Sequence, residues 1–195
     1  DAPEGRWVYQ VPVSCEWVGS LLEGLIILVI GVIAVRIRNF WIIIFSLLQL
    51  GFAIASYAMT KHGDEETLIT LFRIDDLSRI MLLVTTVVGA LILVFSIGYM
   101  KEHAKHAPRH AASLGQFFFF FISFLGFMSG LVISDNLSYF SLCWEATTLC
   151  SYALIGQDGG DARRINATRA LFINSFGGVM LLAGIFFLKL RTGGE

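Results

Sequence analysis

The chain has 195 residues, 56% of them hydrophobic and 15% charged, with a mean hydropathy of +0.73 and a net charge of −1. Soluble domains carry roughly 25% charged residues, so this composition is that of an integral membrane protein, and the absence of a basic excess excludes a nucleic-acid partner. Cys15, Cys143 and Cys150 are too few and too scattered for a disulfide framework or a metal cluster.

Residues 1–16 are polar and mixed and include Pro3, Trp7 and Pro12. They read as an external segment at the membrane interface, where tryptophan is enriched. The opening DAPEGRW has no initiator Met and no signal-peptide cleavage site. That reads as a processed form or a segment of a longer chain. The first spanning helix is predicted from Trp17 to Val35 and is closed by Arg36 and Arg38. Glu23, about two turns inside it, reads either as an acid near the interface that reaches water or as a functional group. The second helix is predicted from Phe40 to Met59, with Gln49 as its one strongly polar interior residue.

Lys61 to Arg73 is the longest polar connection, although its LITLF stretch suits a short amphipathic or extended piece. The third helix starts at IDDLSR, where Asp75 or Asp76 can cap the N-terminus and meet the positive end of the dipole, and runs to about Tyr99. His103, His106 and His110 follow in KEHAKHAPRHAAS. The i, i+3 spacing of the first two suits a metal, but no cysteine or carboxylate pattern completes a site, so the stretch reads as a basic loop beside lipid head groups. The fourth helix is predicted from Leu114 to Ile133. Phe117 to Phe121 supply lipid-facing or packing bulk, and Gly126 and Gly130 form a small-xxx-small pair.

The fifth helix lies within Asp135–Gly156, DNLSYFSLCWEATTLCSYALIG. Its interior, 137–155, would span roughly 28 Å, close to a bilayer's hydrocarbon thickness, which places Glu145 near the midplane. Ser141, Thr148 and Tyr152 stand at i−4, i+3 and i+7 from Glu145 and share its face. A carboxylate in a polar stripe of an apolar helix has the chemistry of a proton site; the alternative is a neutral acid that pins two helices together. Cys143 and Cys150 read as small packing residues. The glycine-rich QDGGDARR leads to a sixth helix from about Ile165 to Leu188, whose interior Asn174 and Ser175 can bond across the bundle or hold water. Two sequons, at Asn136 and Asn166, sit at helix ends against the bilayer and are discounted.

The fold class is therefore all-α: a polytopic bundle of about six transmembrane helices over residues 17–190, with a tail at 191–195. On one side lie six basic residues, Arg6, Lys61, Arg73, Arg79, Lys189 and Arg191; the other holds eight, Arg36, Arg38, Lys101, Lys105, Arg109, Arg163, Arg164 and Arg169. The positive-inside rule makes the second side cytoplasmic and puts the N-terminus outside.

Three stretches in this order resemble one family. FRIDDLSRIMLLVTTVVGALILVFSIGYM (72–100) is similar to the third helix of antiporter-like membrane subunits, the Trp144–Glu145 pair followed by Ser-Tyr-x-Leu-Ile to their fifth, and RALFINSFGGVMLLAGI (169–185) to their sixth. The family comprises the proton-pumping subunits of respiratory complex I, the Mrp-type sodium/proton antiporters and the membrane arms of energy-converting nickel–iron hydrogenases. The resemblance implies that Glu145 pairs with a lysine on a broken seventh helix and modulates its charge during translocation. This chain stops after its sixth helix, which implies a fragment or a split subunit holding the input half of a channel. Gly177–Gly178 stands where the largest complex I subunit has Gly-Asp, and together with Asn174 this tilts the resemblance toward the hydrogenase-type relatives.

The expected function is proton or sodium translocation within a redox-driven complex. Glu145 is its charge switch, driven by electrostatics from a redox partner, and Thr148, Tyr152 and Asn174 hold water around it. The alternatives are a Mrp-type antiporter component and a structural scaffold. No nucleophile–base pair, phosphate loop or cofactor motif is present, so no cofactor is expected in this chain, which reads as a non-catalytic subunit. Expected partners are the bilayer, other membrane subunits including the missing antiporter half, and iron–sulfur redox subunits, in a prokaryotic cytoplasmic membrane.

Overall fold

Hydrocarbon offers no hydrogen bonds to a peptide group, so an apolar chain crosses it as helix. A computed structural model describes residues 7–12, 16–59, 68–106, 113–157 and 160–192. In chain order it contains β1 (Trp7–Pro12), α1 (Glu16–Ile37), α2 (Phe40–Met59), β2 (Leu68–Ile74), α3 (Asp76–His106), α4 (Ser113–Ile133), α5 (Leu137–Gly156) and α6 (Asp161–Thr192). Cys15, the connection at 60–67, His110 and the tail at 193–195 lie outside the described residues, as do the side chains of His103 and His106.

Five helices, all but α5, are long and apolar enough to cross a membrane. α5 matches α2 in length, at 20 residues. It is more polar because its neighbours are protein: α1, α4 and α6 all pack on it. Its buried residues run almost without a break from Ser141 to Cys150. α2 packs on α1 and α6, and α3 is the outermost helix, touching α4 and β2. α3 accordingly leaves Leu83, Leu91, Val94 and Phe95 exposed, as a lipid-facing helix does.

The termini are set by local chemistry. Asp75 Oδ1 accepts from Ser78 N at 2.8 Å and caps α3. Asn136 caps α5, its Oδ1 accepting from Ser138 N at 2.8 Å and Tyr139 N at 3.3 Å, which gives the first sequon asparagine a structural use. α1 closes with Arg38 N on Val35 O and Asn39 N on Ala34 O, and Arg38 takes a left-handed φ of 59°. This Schellman closure reverses the chain into α2 within two residues.

Two features depart from the sequence reading, and a third settles an option it left open. α3 continues past Tyr99 to His106, and α6 extends from Asp161 to Thr192. Both additions are polar, so apolarity could not signal them; helix continues through KEHAKH because the first breaker is Pro108. At 31 and 32 residues these helices rise about 46–48 Å, beyond the hydrocarbon. The extended option for LITLF holds, and its partner is β1, within the expected interfacial segment. The antiparallel register pairs Trp7 with Ile74 and Pro12 with Leu68, with a bulge that leaves Leu71 without a partner in β1. Leu71 is buried, and its carbonyl accepts from Asp135 N at 3.0 Å while Arg73 pairs with Asp135 at 2.9 Å. The sheet is thereby fastened to the α4–α5 link. Finally, only Gly130 of the glycine pair makes a close helix contact, against Cys143 Sγ; Gly126 is exposed and meets nothing.

The termini define two ends of the bundle. At the strand end, Gly19 of α1 meets Tyr139 of α5, and Lys189 of α6 reaches Ser56 O of α2 at 3.5 Å. The arginine end carries Arg36, Arg164 and Arg169. Replacing Asn136 by Ala removes the acceptor for two N–H groups at the start of α5. It is expected to lower stability by about 1 kcal/mol, read as an earlier thermal transition in detergent, while Asn136→Asp keeps the cap and the transition.

Candidate functional site

α5 turns one face toward α1, α2 and α6. On it Glu145 is 1% exposed, and Gln49 of α2 and Ser175 of α6 are 0% exposed. Gln49 Nε2 donates to Glu145 Oε1 at 2.9 Å and to the Ser175 carbonyl at 3.1 Å. A carbonyl oxygen only accepts, so the Ser175 contact fixes which end of the amide faces the acid. One amide thus ties together three helices at the carboxyl group.

The approach is close because α6 has no side chain at position 178. A Cβ there would run into Gln49 Nε2 and Glu145 Oε1. Gly177 beside it admits the Trp144 indole. The Gly177–Gly178 pair of the sequence is therefore the surface on which the Trp144–Glu145 pair of α5 rests. Sequence reasoning noted the glycines as a departure from a pattern and missed this packing use.

The cluster is not saturated. Glu145 Oε2, Gln49 Oε1 and Ser175 Oγ are buried without a hydrogen-bond partner among the described residues. Orphaned polar atoms of this kind cost about 1–3 kcal/mol each, and native structures keep them mainly where water, an ion or a functional partner is received. Three of them on side chains already bound together make an acceptor-rich, partly satisfied polar core.

A second acid joins the same face. Glu23 of α1 is 4% exposed, and Ser141 Oγ donates to its Oε1 at 2.5 Å. The reading of Glu23 as an acid that reaches water is corrected: packing of α1 on α5 covers it. The other residues proposed with Glu145 are placed differently. Thr148 is buried on the same face, but its hydroxyl donates to Trp144 O of its own helix at 3.1 Å. Tyr152 packs against the Ile30–Ala34–Ile42–Leu171 cluster and lines a cavity of about 500 Å³ at the arginine end, with Arg36, Arg164, Arg169 and Asp161. Asn174 is half-buried, and no hydrogen bond brings it to Glu145; Ser175, one step around α6, faces the site.

Among the described residues no group of three or more His, Cys, Asp or Glu side chains converges as metal ligands. Cys143 and Cys150 are free and buried in helix packing. The arrangement sets two buried carboxyl groups, Glu145 and Glu23, against one face of α5.

Residues 67–110 match the family model described as NADH-ubiquinone oxidoreductase (complex I), chain 5 N-terminus, and residues 134–194 match NADH:quinone oxidoreductase/Mrp antiporter, TM. Together the two matches cover more than half of the chain, including α3, α5 and α6. The Na(+)/H(+) antiporter subunit A1 of Staphylococcus haemolyticus (strain JCSC1435) is 35% identical over 118 residues, 60% of this chain and 14% of that protein. Its counterpart in Staphylococcus aureus (strain JH9) is 33% identical over 120 residues, 61% of this chain and again 14% of the relative. The matched stretch is thus a small part of these relatives' length. No solved structure matches the chain.

Gln49→Leu leaves Glu145 buried without its N–H donor and is expected to cost about 1–3 kcal/mol. Gly178→Ala should cost a similar amount, since its methyl group displaces the same amide and acid. Because both changes break one contact, thermal unfolding of the double variant should show less than the sum of the two losses.

Proposed function

This chain belongs to the antiporter-like membrane-subunit family of complex I and the Mrp antiporters, and we propose that it forms the part of such a subunit that loads and releases a proton at Glu145. The observation that carries this reading is the state of the carboxyl group itself. Oε1 is held by Gln49, while Oε2 is buried and without a protein partner among the described residues. A fully buried acid with one oxygen fixed and one open is positioned to exchange a proton with an arriving group. An ammonium brought up to Oε2 from elsewhere in the assembly would favour release, and its withdrawal would favour uptake. The lysine implied by the family resemblance is such a group.

The site chemistry favours a proton over sodium. Gln49 turns an N–H toward Glu145 and its carbonyl oxygen elsewhere. Hard cations take a shell of oxygen ligands, whereas a carboxyl group exchanging a proton is served by one fixed donor. Thr148, Tyr152 and Asn174 are proposed to lie along the water-holding route between Glu145 and the arginine end. The excess of Lys and Arg there supports that end as cytoplasmic and the N-terminus as external.

Two assemblies suit this function. A redox-driven complex, with other membrane subunits and iron–sulfur partners, is supported by the match of residues 67–110 to the complex I chain 5 N-terminus. A Mrp-type antiporter is supported by the Staphylococcus proteins, which are named Na(+)/H(+) antiporter subunits.

The test uses the assembled complex in everted membrane vesicles with a pH-sensitive dye. Glu145→Gln should lower proton translocation by about 10²-fold or more, with the complex still assembled, and Glu145→Asp should retain part of the rate. Wild-type translocation by Glu145→Gln would overturn the proposal. The driving force identifies the assembly: an electron donor alone supports the redox complex, a sodium gradient alone the antiporter.

A further inference from the structure

We propose that Glu23 and Ser141 form a second proton-carrying station, through which protons pass between Glu145 and the strand end of the bundle. The inference rests on the Glu145 reading and adds to it a partner acid and a direction of travel.

Three observations support it. Glu23 is a carboxyl group buried between helices, in a segment of hydrocarbon-spanning character. Acids in such positions are costly and are seldom retained for packing alone. Its hydrogen bond runs to α5, the helix that carries Glu145: Ser141 and Glu145 are one turn apart on one face, about 5–6 Å between Cβ atoms. The two acids are also within electrostatic reach of each other, and Lys189 is within reach of Glu23. Lys189 stands near the end of α6, where it also reaches Ser56 O, so the route opens toward the strand end.

The Ser141 hydroxyl gives Glu23 hydrogen bonds in both charge states. Ser141 Oγ lies 2.5 Å from Glu23 Oε1 and 3.0 Å from Ser138 O. With Glu23 ionised, the single hydroxyl hydrogen points to the carboxylate, at a length usual for O–H···O⁻ bonds. With Glu23 protonated, the acid donates to Ser141 Oγ, and the hydroxyl hydrogen turns to Ser138 O. Neither state leaves a buried group unpaired, so the proton can be gained or lost without an added hydrogen-bond penalty.

The transfer balances simply. Glu145–COOH loses H⁺ and becomes a carboxylate. A bridging water takes that proton and gives one of its own to Ser141 Oγ, which passes its hydroxyl hydrogen to Glu23; Glu23 becomes the neutral acid, and the water and Ser141 end as they began. The two carboxylates and Lys189 together carry one net negative charge, which one proton on either acid cancels. A single proton shared by Glu23 and Glu145 therefore keeps the group neutral at every stage.

The experiment compares Glu23→Gln, Glu23→Asp, Ser141→Ala, Ser141→Thr and Glu145→Gln in the assembled complex, by dye-reported proton translocation and by infrared difference spectra of carboxyl C=O bands. Glu23→Gln and Ser141→Ala should each slow translocation about tenfold, with little further loss when combined. Glu23→Asp and Ser141→Thr, which keep the acid and the hydroxyl, should recover much of the rate. The spectra should lose one carboxyl band in Glu23→Gln and show a shift in the other. If Glu145→Gln stops translocation while Glu23→Gln leaves rate and Glu145 band unchanged, the second station is wrong and the Glu145 reading stands. If Glu145→Gln is itself without effect, both fall. Should Glu23→Gln fail to assemble, Glu23→Asp and Ser141→Ala carry the decision: a normal rate in Ser141→Ala rejects the relay.

Discussion

Inside a membrane bundle a carboxyl group can obtain hydrogen-bond donors only from protein or from trapped water, because the hydrocarbon has none. Much of this structure follows from meeting that need at Glu145. Gln49 reaches across from α2, and its side-chain NH2 donates to both the acid and the Ser175 carbonyl. α6 gives up a side chain at Gly178 so that the two can meet. The acid thereby joins α2, α5 and α6 at one close contact.

The same need explains why α5, the helix that lacks a membrane-spanning apolar stretch, lies among three neighbours. α5 is bordered by α1, α4 and α6, so its serines and threonines face protein. Thr147 and Thr148 return their hydroxyls to Trp144 O, and Ser151 to Thr147 O, at 2.7–3.1 Å. Such back-bonding satisfies a hydroxyl without a partner helix, whereas Ser141 turns its hydroxyl to Glu23 of α1. The apolar surface is placed outside, on α3 and the outer sides of α1, α2 and α6, where lipid or other membrane subunits can cover it.

A purely structural part for the acids competes with the functional one. Two features weigh against it. A carboxyl kept only to join helices would be expected to use both oxygens, yet Glu145, 1% exposed, leaves Oε2 unpaired among the described residues. A second acid, Glu23, sits beside the same helix face with a hydroxyl that serves either of its charge states. Packing has a cheaper solution at both positions, since apolar residues of similar volume commonly equal or exceed buried ionic groups in stability.

Much of the architecture was legible in the sequence, because long apolar runs in hydrocarbon have one low-energy backbone solution and because Arg, Asp and Asn mark the ends of the runs. That Glu145 would be buried was legible for a similar reason, as the one carboxylate in the interior of its helix. Polar turns were not legible: KEHAKH and DARR are helical, although nothing in their hydropathy separates them from loop. Nor was the partnership of β1 with β2, which are separated in sequence by two helices. Above all, a one-dimensional pattern gives the face a residue occupies on its own helix but not the helix that face meets. Asn174 and Ser175 look equally eligible in sequence, and about 100° of helix rotation gives the site to Ser175. Glu23 looks like an acid near water, and the packing of α1 on α5 buries it against Ser141. Sequence alone determined a bundle of membrane helices with acids inside α1 and α5; only the tertiary structure decided which side chains meet them, because those contacts depend on helix rotation and approach distances set by packing and by a missing side chain at Gly178.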